Sequence, residues 1–171
     1  MKRTILTLML FAGLAFAATA QKFAIVDMEY VMKNVPAFES VNQQLDLVSK
    51  KWQAEVETKL KEVQTMYKNY QTEQVFLSDD MKLKREEEII AKEKAAQELK
   101  RTYFGSEGEL FKKRESLMKP IQDEVFNAIK EVCEEKNYEL ILDKSSSMNI
   151  IFSSPKIDIS DLVLQKLGYS K

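Results

Sequence analysis

The sequence predicts an α+β protein that is mostly α, with a long antiparallel coiled-coil hairpin of two helices on a small β-rich body. Between Ala37 and Tyr103 there is neither proline nor glycine, so nothing in that stretch interrupts a helix. Apolar residues recur there every three or four positions among charges of both signs, which indicates long amphipathic helices. Runs of β-branched and aromatic residues that suit strands lie near the two ends of the chain.

The first twenty residues have the composition of a secretory signal peptide. Lys2 and Arg3 precede an apolar run over residues 5–18, and small residues lead to a cleavage site between Ala20 and Gln21. The run is short for a membrane span, so an uncleaved inner-membrane anchor is the minor alternative. The residue directly after the cleavage site is Gln21 and not cysteine, which argues against a lipid anchor. We therefore expect residues 1–20 to be removed and the mature chain to be soluble outside the cytoplasm.

The hairpin arm is predicted over residues 37–119, with its tip near 77–81. Ser78 can cap the second helix, and Asp79 and Asp80 suit the positive end of that helix. Pro120 is the breaker that ends the second arm and opens a separate helix. Each arm would be about 60 Å long at 1.5 Å per residue, so the hairpin must project from the body. The outgoing stripe consists of Phe38, Val41, Leu45, Val48, Trp52, Val56, Leu60, Val63, Tyr67 and Tyr70.

Pairing the two arms about Ser78 places Gly105 opposite Trp52. We expect the indole ring to cover that glycine, because a residue without a side chain leaves room for a large ring. The alternative is that Gly105 and Gly108 only kink the second helix.

Apolar residues occur in adjacent pairs along the return arm and into the body. The pairs are Tyr103-Phe104, Leu110-Phe111, Leu117-Met118, Val125-Phe126 and Val132-Cys133. A doubled stripe is wider than one partner helix can cover. Either these residues also contact other subunits, or they form a surface left apolar for a binding partner.

The body is predicted to combine residues 21–36 with 120–171. Strands are expected over residues 22–27, 138–143 and 148–152, and a final helix stops at Gly168. Such a body is small, so we expect its strands to associate with those of other copies, which also removes open sheet edges. The predicted association residues are Phe23, Ile25, Val26, Leu140, Ile141, Leu142, Ile150, Ile151 and Phe152.

Composition excludes several functional classes. Acidic residues number 27 and basic residues 26, so the chain lacks the positive charge of a nucleic-acid binder. It contains no histidine, no GxxxxGK phosphate loop and one cysteine, Cys133, interpreted as a small buried apolar residue rather than a reactive thiol. We expect no enzymatic activity, no metal and no cofactor.

The order of these features resembles the Skp (OmpH) family of periplasmic chaperones. The resemblance rests on Lys22-Phe23-Ala24-Ile25-Val26-Asp27-Met28, the charged hairpin, Tyr138-Glu139-Leu140-Ile141-Leu142-Asp143 and Asp158-Ile159-Ser160-Asp161-Leu162-Val163-Leu164. It implies a jellyfish-like homotrimer in the periplasm, whose helical arms hold unfolded outer-membrane β-barrel proteins without ATP. This chain is slightly acidic where known relatives are basic, so contact with membranes or lipopolysaccharide is expected to be weak at most.

Apolar residues off the hairpin seam or near its tip are the candidate client contacts. They are Met66, Tyr70, Phe76, Ile89, Phe104 and Phe111, and for each the alternative is packing within the hairpin. The rival function is a structural coiled-coil scaffold or adaptor of the cell envelope that binds one folded partner. A membrane-associated factor is a weaker rival, because the acidic balance opposes binding to anionic lipids.

Overall fold

The computed structural model describes residues 22–146 and 150–169 and confirms a mostly helical chain with a small sheet. In chain order its elements are β1 (Phe23–Val26), α1 (Met28–Lys33), α2 (Pro36–Glu73), α3 (Asp79–Phe104), α4 (Glu109–Lys136), β2 (Leu140–Asp143) and α5 (Ser160–Lys166). Short 3-10 helices lie at Gln74–Phe76 and Pro155–Ile157. None of the described helices has the length and apolarity needed to cross a membrane. The predicted signal peptide and its cleavage site at Ala20 and Gln21 lie outside the described residues.

The chain divides into two compact units. The hairpin unit is Met32–Glu124, and the sheet unit combines residues 22–31 with 125–146 and 150–169. The predicted domain boundaries, with an arm over 37–119 and a body over 21–36 and 120–171, stay a prediction.

Two helices of the hairpin unit, α2 and α3, run antiparallel along an apolar seam. Val56, Ile89 and Ala96 are buried in it. The Ser78 side chain accepts the backbone N–H of Met81 at 3.4 Å and caps α3, as the sequence predicts. Periodicity and capping are local signals, which is why this turn could be located from the sequence.

The return arm is interrupted at residues 105–108, which we call the break. The prediction that Pro120 is the breaker that ends this arm is therefore wrong, since α3 already ends at Phe104 and α4 begins at Glu109. Both glycines are required by the close approach of backbone atoms. A Cβ atom on Gly105 would lie 2.5 Å from the carbonyl oxygen of Arg101, and one on Gly108 would lie 2.8 Å from that of Tyr103.

Pro120 lies inside α4 and does not begin a helix, which corrects the predicted start of a separate helix there. An interior proline costs a helix about 3 kcal/mol, because it removes one hydrogen bond and its ring crowds the preceding turn. A buried apolar stripe on the same helix offsets this cost. The stripe consists of Ile121, Val125, Ala128 and Val132.

The sheet unit is organised around β1 and β2, which pair in parallel with Phe23 opposite Leu140. On the other edge of β1, the N–H of Ile159 donates to the carbonyl oxygen of Ile25 at 2.9 Å. Ile25 and Ile159 are buried together with Val163. The two ends of the chain thus form one core.

The predicted third strand over residues 148–152 is not present where the structure describes it. Ile150, Ile151 and Phe152 have no strand conformation, and Ile151 is 99% exposed. Met148 and Asn149 lie outside the described residues. A strand is stable only when its backbone groups are paired, and no described segment of the chain pairs with residues 150–152.

A polar cluster joins β1, the turn after β2 and the start of α5. The N–H of Asp27 donates to Ser160 Oγ at 2.8 Å, and that hydroxyl donates to Asp158 Oδ1 at 2.6 Å. Lys144 Nζ lies 2.8 Å from Asp158 Oδ2 and 3.4 Å from Asp27 Oδ2. Burial raises the pKa of Asp158, but the hydrogen bonds from Lys144 and Ser160 outweigh it and hold that pKa below its ordinary value.

Replacing Lys144 with methionine is expected to lower the free energy of unfolding by about 1 kcal/mol at neutral pH, since the pair is partly exposed to water. Because the pKa of Asp158 is lowered in the folded state, its charged form stabilises the fold at pH values above 3.8, the ordinary pKa of aspartate. This stabilisation is lost as the pH falls through the folded-state pKa. The difference between wild type and variant should therefore shrink at about pH 2.5. Urea denaturation at neutral pH and at about pH 2.5, with one protein concentration, measures this difference in the free energy of unfolding.

The matched control is Lys130→Met, which removes an exposed ion pair with Glu134 and should change little at either pH. An equal loss for Lys144→Met at neutral and acidic pH would assign its effect to packing rather than to charge.

Candidate functional site

Apolar side chains away from the seam of the hairpin unit reach solvent. The tip patch, defined as Val75, Phe76, Met81 and Leu83, surrounds the turn, and each of its side chains is more than half exposed. The break patch, defined as Phe104 and Phe111, lies on either side of residues 105–108, and these side chains are 37% and 44% exposed. Large apolar surfaces that a chain leaves uncovered are typical of protein-binding sites.

The six predicted client contacts do not share one environment. Phe76, Phe104 and Phe111 are exposed, and Met66 and Tyr70 are half-buried. Ile89 is buried in the seam with 7% of its surface exposed, so it is unavailable to a partner and leaves the candidate set. The helix α3 has few large apolar residues from which a seam stripe can be recognised, so the sequence does not distinguish a seam residue from an outward-facing one there.

Several exposed apolar residues were missed by the sequence interpretation. Val75, Met81 and Leu83 extend the surface around Phe76, and Tyr67 of the outgoing stripe is 53% exposed. Their position beside the hairpin turn could have indicated this exposure. Residues next to a turn lie where the two helices diverge, so the partner helix does not cover them.

An aromatic pair crosses the hairpin next to the break. Trp52 and Tyr103 stack with ring centroids 4.6 Å apart and planes 5° from parallel. The Tyr103 hydroxyl also donates to Glu55 Oε2 at 3.0 Å, and burial together with this bond raises the pKa of Tyr103. We call these three residues the clasp. The predicted contact is thus displaced by two residues, because the indole ring stacks on Tyr103, and a Cβ atom placed on Gly105 would lie closest to atoms of Arg101.

A second polar contact crosses the hairpin nearer the tip. The Tyr70 hydroxyl donates to the Glu86 carboxylate, and this hydrogen bond is the main reason that the pKa of Tyr70 is raised. Arg85 also lies 3.9 Å from Glu73 across the same helices, with both side chains exposed. These contacts agree with the predicted pairing about Ser78, since each joins residues that the pairing places opposite one another.

The sheet unit has its own exposed apolar face. Phe126 is 64% exposed, and it lines a groove of about 460 Å³ together with Ile129, Cys133 and Leu140. The doubled stripe explains this face, because Val125 and Val132 are buried while their neighbours Phe126 and Cys133 face outward. Cys133 was predicted to be buried but is half-buried, and its thiol donates to the carbonyl oxygen of Tyr138 at 3.1 Å.

The predicted association residues separate into an inner and an outer group. Ile25 and Val26 are buried inside the sheet unit and cannot contact another copy without unfolding. Ile141 and Ile150 are half-buried. The outer group is exposed and consists of Phe23, Leu140, Leu142, Ile151 and Phe152.

These surfaces can bind other molecules without covalent chemistry. In the part of the chain that the structure describes, no cluster of acidic or cysteine side chains is arranged to hold a metal ion. The tip and break patches can contact an extended apolar segment, while the surrounding charges keep the unit hydrated.

Comparison with known proteins agrees with this architecture. The family described as outer membrane protein (OmpH-like) matches residues 22–167. A crystal structure from Caulobacter crescentus CB15, provisionally described as an outer membrane chaperone (OmpH-like), is similar with a TM-score of 0.69 and 16% identity. The match covers 88% of this chain and 86% of that one, and at this identity it shows the fold alone. No curated protein matches the chain.

Proposed function

The chain belongs to the OmpH-like outer membrane protein family, and from this premise we propose that it is an ATP-independent periplasmic holdase for unfolded outer-membrane β-barrel proteins. It encloses such a client between helical arms and prevents aggregation before membrane insertion. The unfolded client carries strands with alternating apolar residues that aggregate through their edges. A chaperone for such a client must therefore shield these strands from other chains.

The observation that carries this proposal is the exposed apolar surface of the hairpin unit. Phe76, Phe104 and Phe111 are exposed, as are the other residues of the tip patch, in a unit that also presents charges of both signs. Separate small patches bind an extended chain weakly at several points, and such contacts exchange without ATP. A site of this kind requires no fixed recognition sequence in the client.

Self-association into a homotrimer is the second part of the proposal. The outer edge of β2 has no described strand beside it, and the face around Phe126 and Leu140 is exposed. Ile151 and Phe152 form an apolar segment that could pair with such an edge on another copy. The number three comes from the resemblance to relatives, and the periplasmic location follows from the signal peptide predicted over residues 1–20.

The proposed function is tested by diluting a urea-unfolded outer-membrane protein into buffer with the mature chain and measuring light scattering. We expect the wild type to suppress scattering in a soluble stoichiometric complex. Phe104→Ser with Phe111→Ser should weaken client affinity about tenfold, since removing two apolar contacts is worth about 1.4 kcal/mol.

The matched control is Leu162→Ser in the sheet unit, because Leu162 is 37% exposed, as Phe104 is. It should suppress scattering as the wild type does. Failure of the wild type to protect any unfolded barrel, combined with a saturable complex with one folded envelope protein, would favour the scaffold function instead.

A further inference from the structure

The tip patch lies among carboxylates. Two of its side chains belong to the 3-10 helix after α2 and two to the first turns of α3. Residues 73–88, which contain the patch, hold six carboxylates and three cations, a net charge of −3. We call the six carboxylates the acidic collar, and all of them are exposed. They are Glu73, Asp79, Asp80, Glu86, Glu87 and Glu88.

Two of the three cations at the tip are already held by the collar. Arg85 lies 3.9 Å from Glu73 and 3.7 Å from Glu88. Lys82 lies 3.4 Å from Asp79. These cations are therefore shared with neighbouring carboxylates and attract an incoming anion only weakly.

The excess negative charge of the tip is left without a partner. Asp80 and Glu87 form no ion pair with any residue that the structure describes, and of the three cations only Lys84 is equally unpaired. The helix dipoles do not compensate this charge, because the negative end of α2 and the positive end of α3 meet at the same turn and largely cancel. An apolar surface with a negative border remains.

We propose that the tip patch and the acidic collar together bind an extended apolar segment flanked by lysine or arginine. The apolar side chains are buried on binding, while Asp80 and Glu87 attract the basic flanks and repel segments flanked by carboxylates. Long basic side chains suit this surface, because their alkyl stems cover apolar area while their charged ends reach the collar. That the segment belongs to an unfolded client rests on the proposed function, whereas the preference for basic flanks is a property of the free chain.

The preference is tested with two dye-labelled peptides and the mature chain. Both peptides have the same central apolar residues and blocked ends, and they differ in carrying two lysines or two glutamates on each side. Fluorescence anisotropy at about 20 mM ionic strength should show about tenfold tighter binding of the lysine peptide, and this ratio should fall to about twofold at about 1 M. Equal affinities at low ionic strength, or tighter binding of the glutamate peptide, would overturn the proposal.

The role of the collar is tested by removing its unpaired charges. Asp80→Asn with Glu87→Gln should weaken binding of the lysine peptide about fivefold and should not weaken binding of the glutamate peptide. The matched control is Glu115→Gln with Glu124→Gln, which removes the same charge from exposed positions of α4 and should change neither affinity. Equal weakening by both pairs would assign the preference to the charge of the whole chain and reject the tip.

The role of the apolar patch is tested by Phe76→Ser with Met81→Ser. Both peptides should bind about tenfold more weakly, because the two apolar contacts are lost whatever flanks the segment. Unchanged affinities would place the binding surface elsewhere. Neutral phosphatidylcholine vesicles that bind the wild type when neither peptide does would make a membrane surface the occupant, which also overturns the proposal.

A variant with the opposite expected effect separates the collar from damage to the fold. Lys84→Glu makes the tip more negative and should tighten binding of the lysine peptide about threefold, which loss of folding cannot produce. Unchanged or weaker binding in a variant with wild-type circular dichroism would count against the collar.

The proposed function and this preference can fail independently. A chain that suppresses the scattering of an unfolded barrel protein but binds both peptides equally would keep the holdase function and lose the charge preference. A chain that prefers the lysine peptide but protects no unfolded barrel protein would keep the binding surface at the tip without the proposed function.

Discussion

Ile159→Ala is expected to lower the free energy of unfolding by about 3 kcal/mol, since it empties space in the middle of the sheet unit. Ile159 is 1% exposed, and its N–H is hydrogen-bonded to Ile25 on the edge of β1. The loss combines reduced apolar burial with a cavity that close-packed neighbours fill only in part. Urea denaturation followed by circular dichroism, at one protein concentration, measures it.

The matched control is Ile157→Ala, which deletes the same atoms from a side chain that is 37% exposed. Its cost should be about 1 kcal/mol, because less surface leaves water on folding. Equal losses at the two positions would mean that Ile159 does not anchor the core.

Phe126→Asp is expected to abolish self-association and leave the single chain folded. Phe126 is 64% exposed within the chain, so a carboxylate there costs the fold little. If the face around it is covered by another copy, the carboxylate would be buried without a partner, and association should weaken at least about a hundredfold. Sedimentation velocity over a range of concentrations measures the change.

Asn127→Asp adds the same charge at the next, exposed position of α4 and should leave the assembly unchanged. Assembly that survives Phe126→Asp would show that copies meet elsewhere, and the proposed role of β2 and of Ile151 and Phe152 would then have no support.

Features encoded by neighbouring residues could be predicted from the sequence. The cap at Ser78 depends on residues within one turn of it, and the same holds for the stop at Gly168, where φ is +83°. Asn137, immediately after α4, has a positive φ of 55°, a conformation that asparagine adopts more readily than most residues. The hairpin followed from periodicity, because a helix that is covered on one side must alternate apolar seam residues with charged ones. β1 and β2 followed from short runs of β-branched and aromatic residues, whereas the third such run, over residues 148–152, has no strand where the structure describes it.

The sequence by itself determined the long hairpin, its turn, the strands β1 and β2 and the family resemblance. Only the tertiary structure decided that Pro120 stays inside a helix, that the break falls at residues 105–108 and that Ile89 is buried. The physical reason is that each of these features depends on packing with residues distant in the sequence as well as on local preference. The local preference can be read from the sequence, whereas the packing cannot. Burial of the stripe along α4 outweighs the cost of Pro120, whereas at Gly105 the backbone is too close for any side chain.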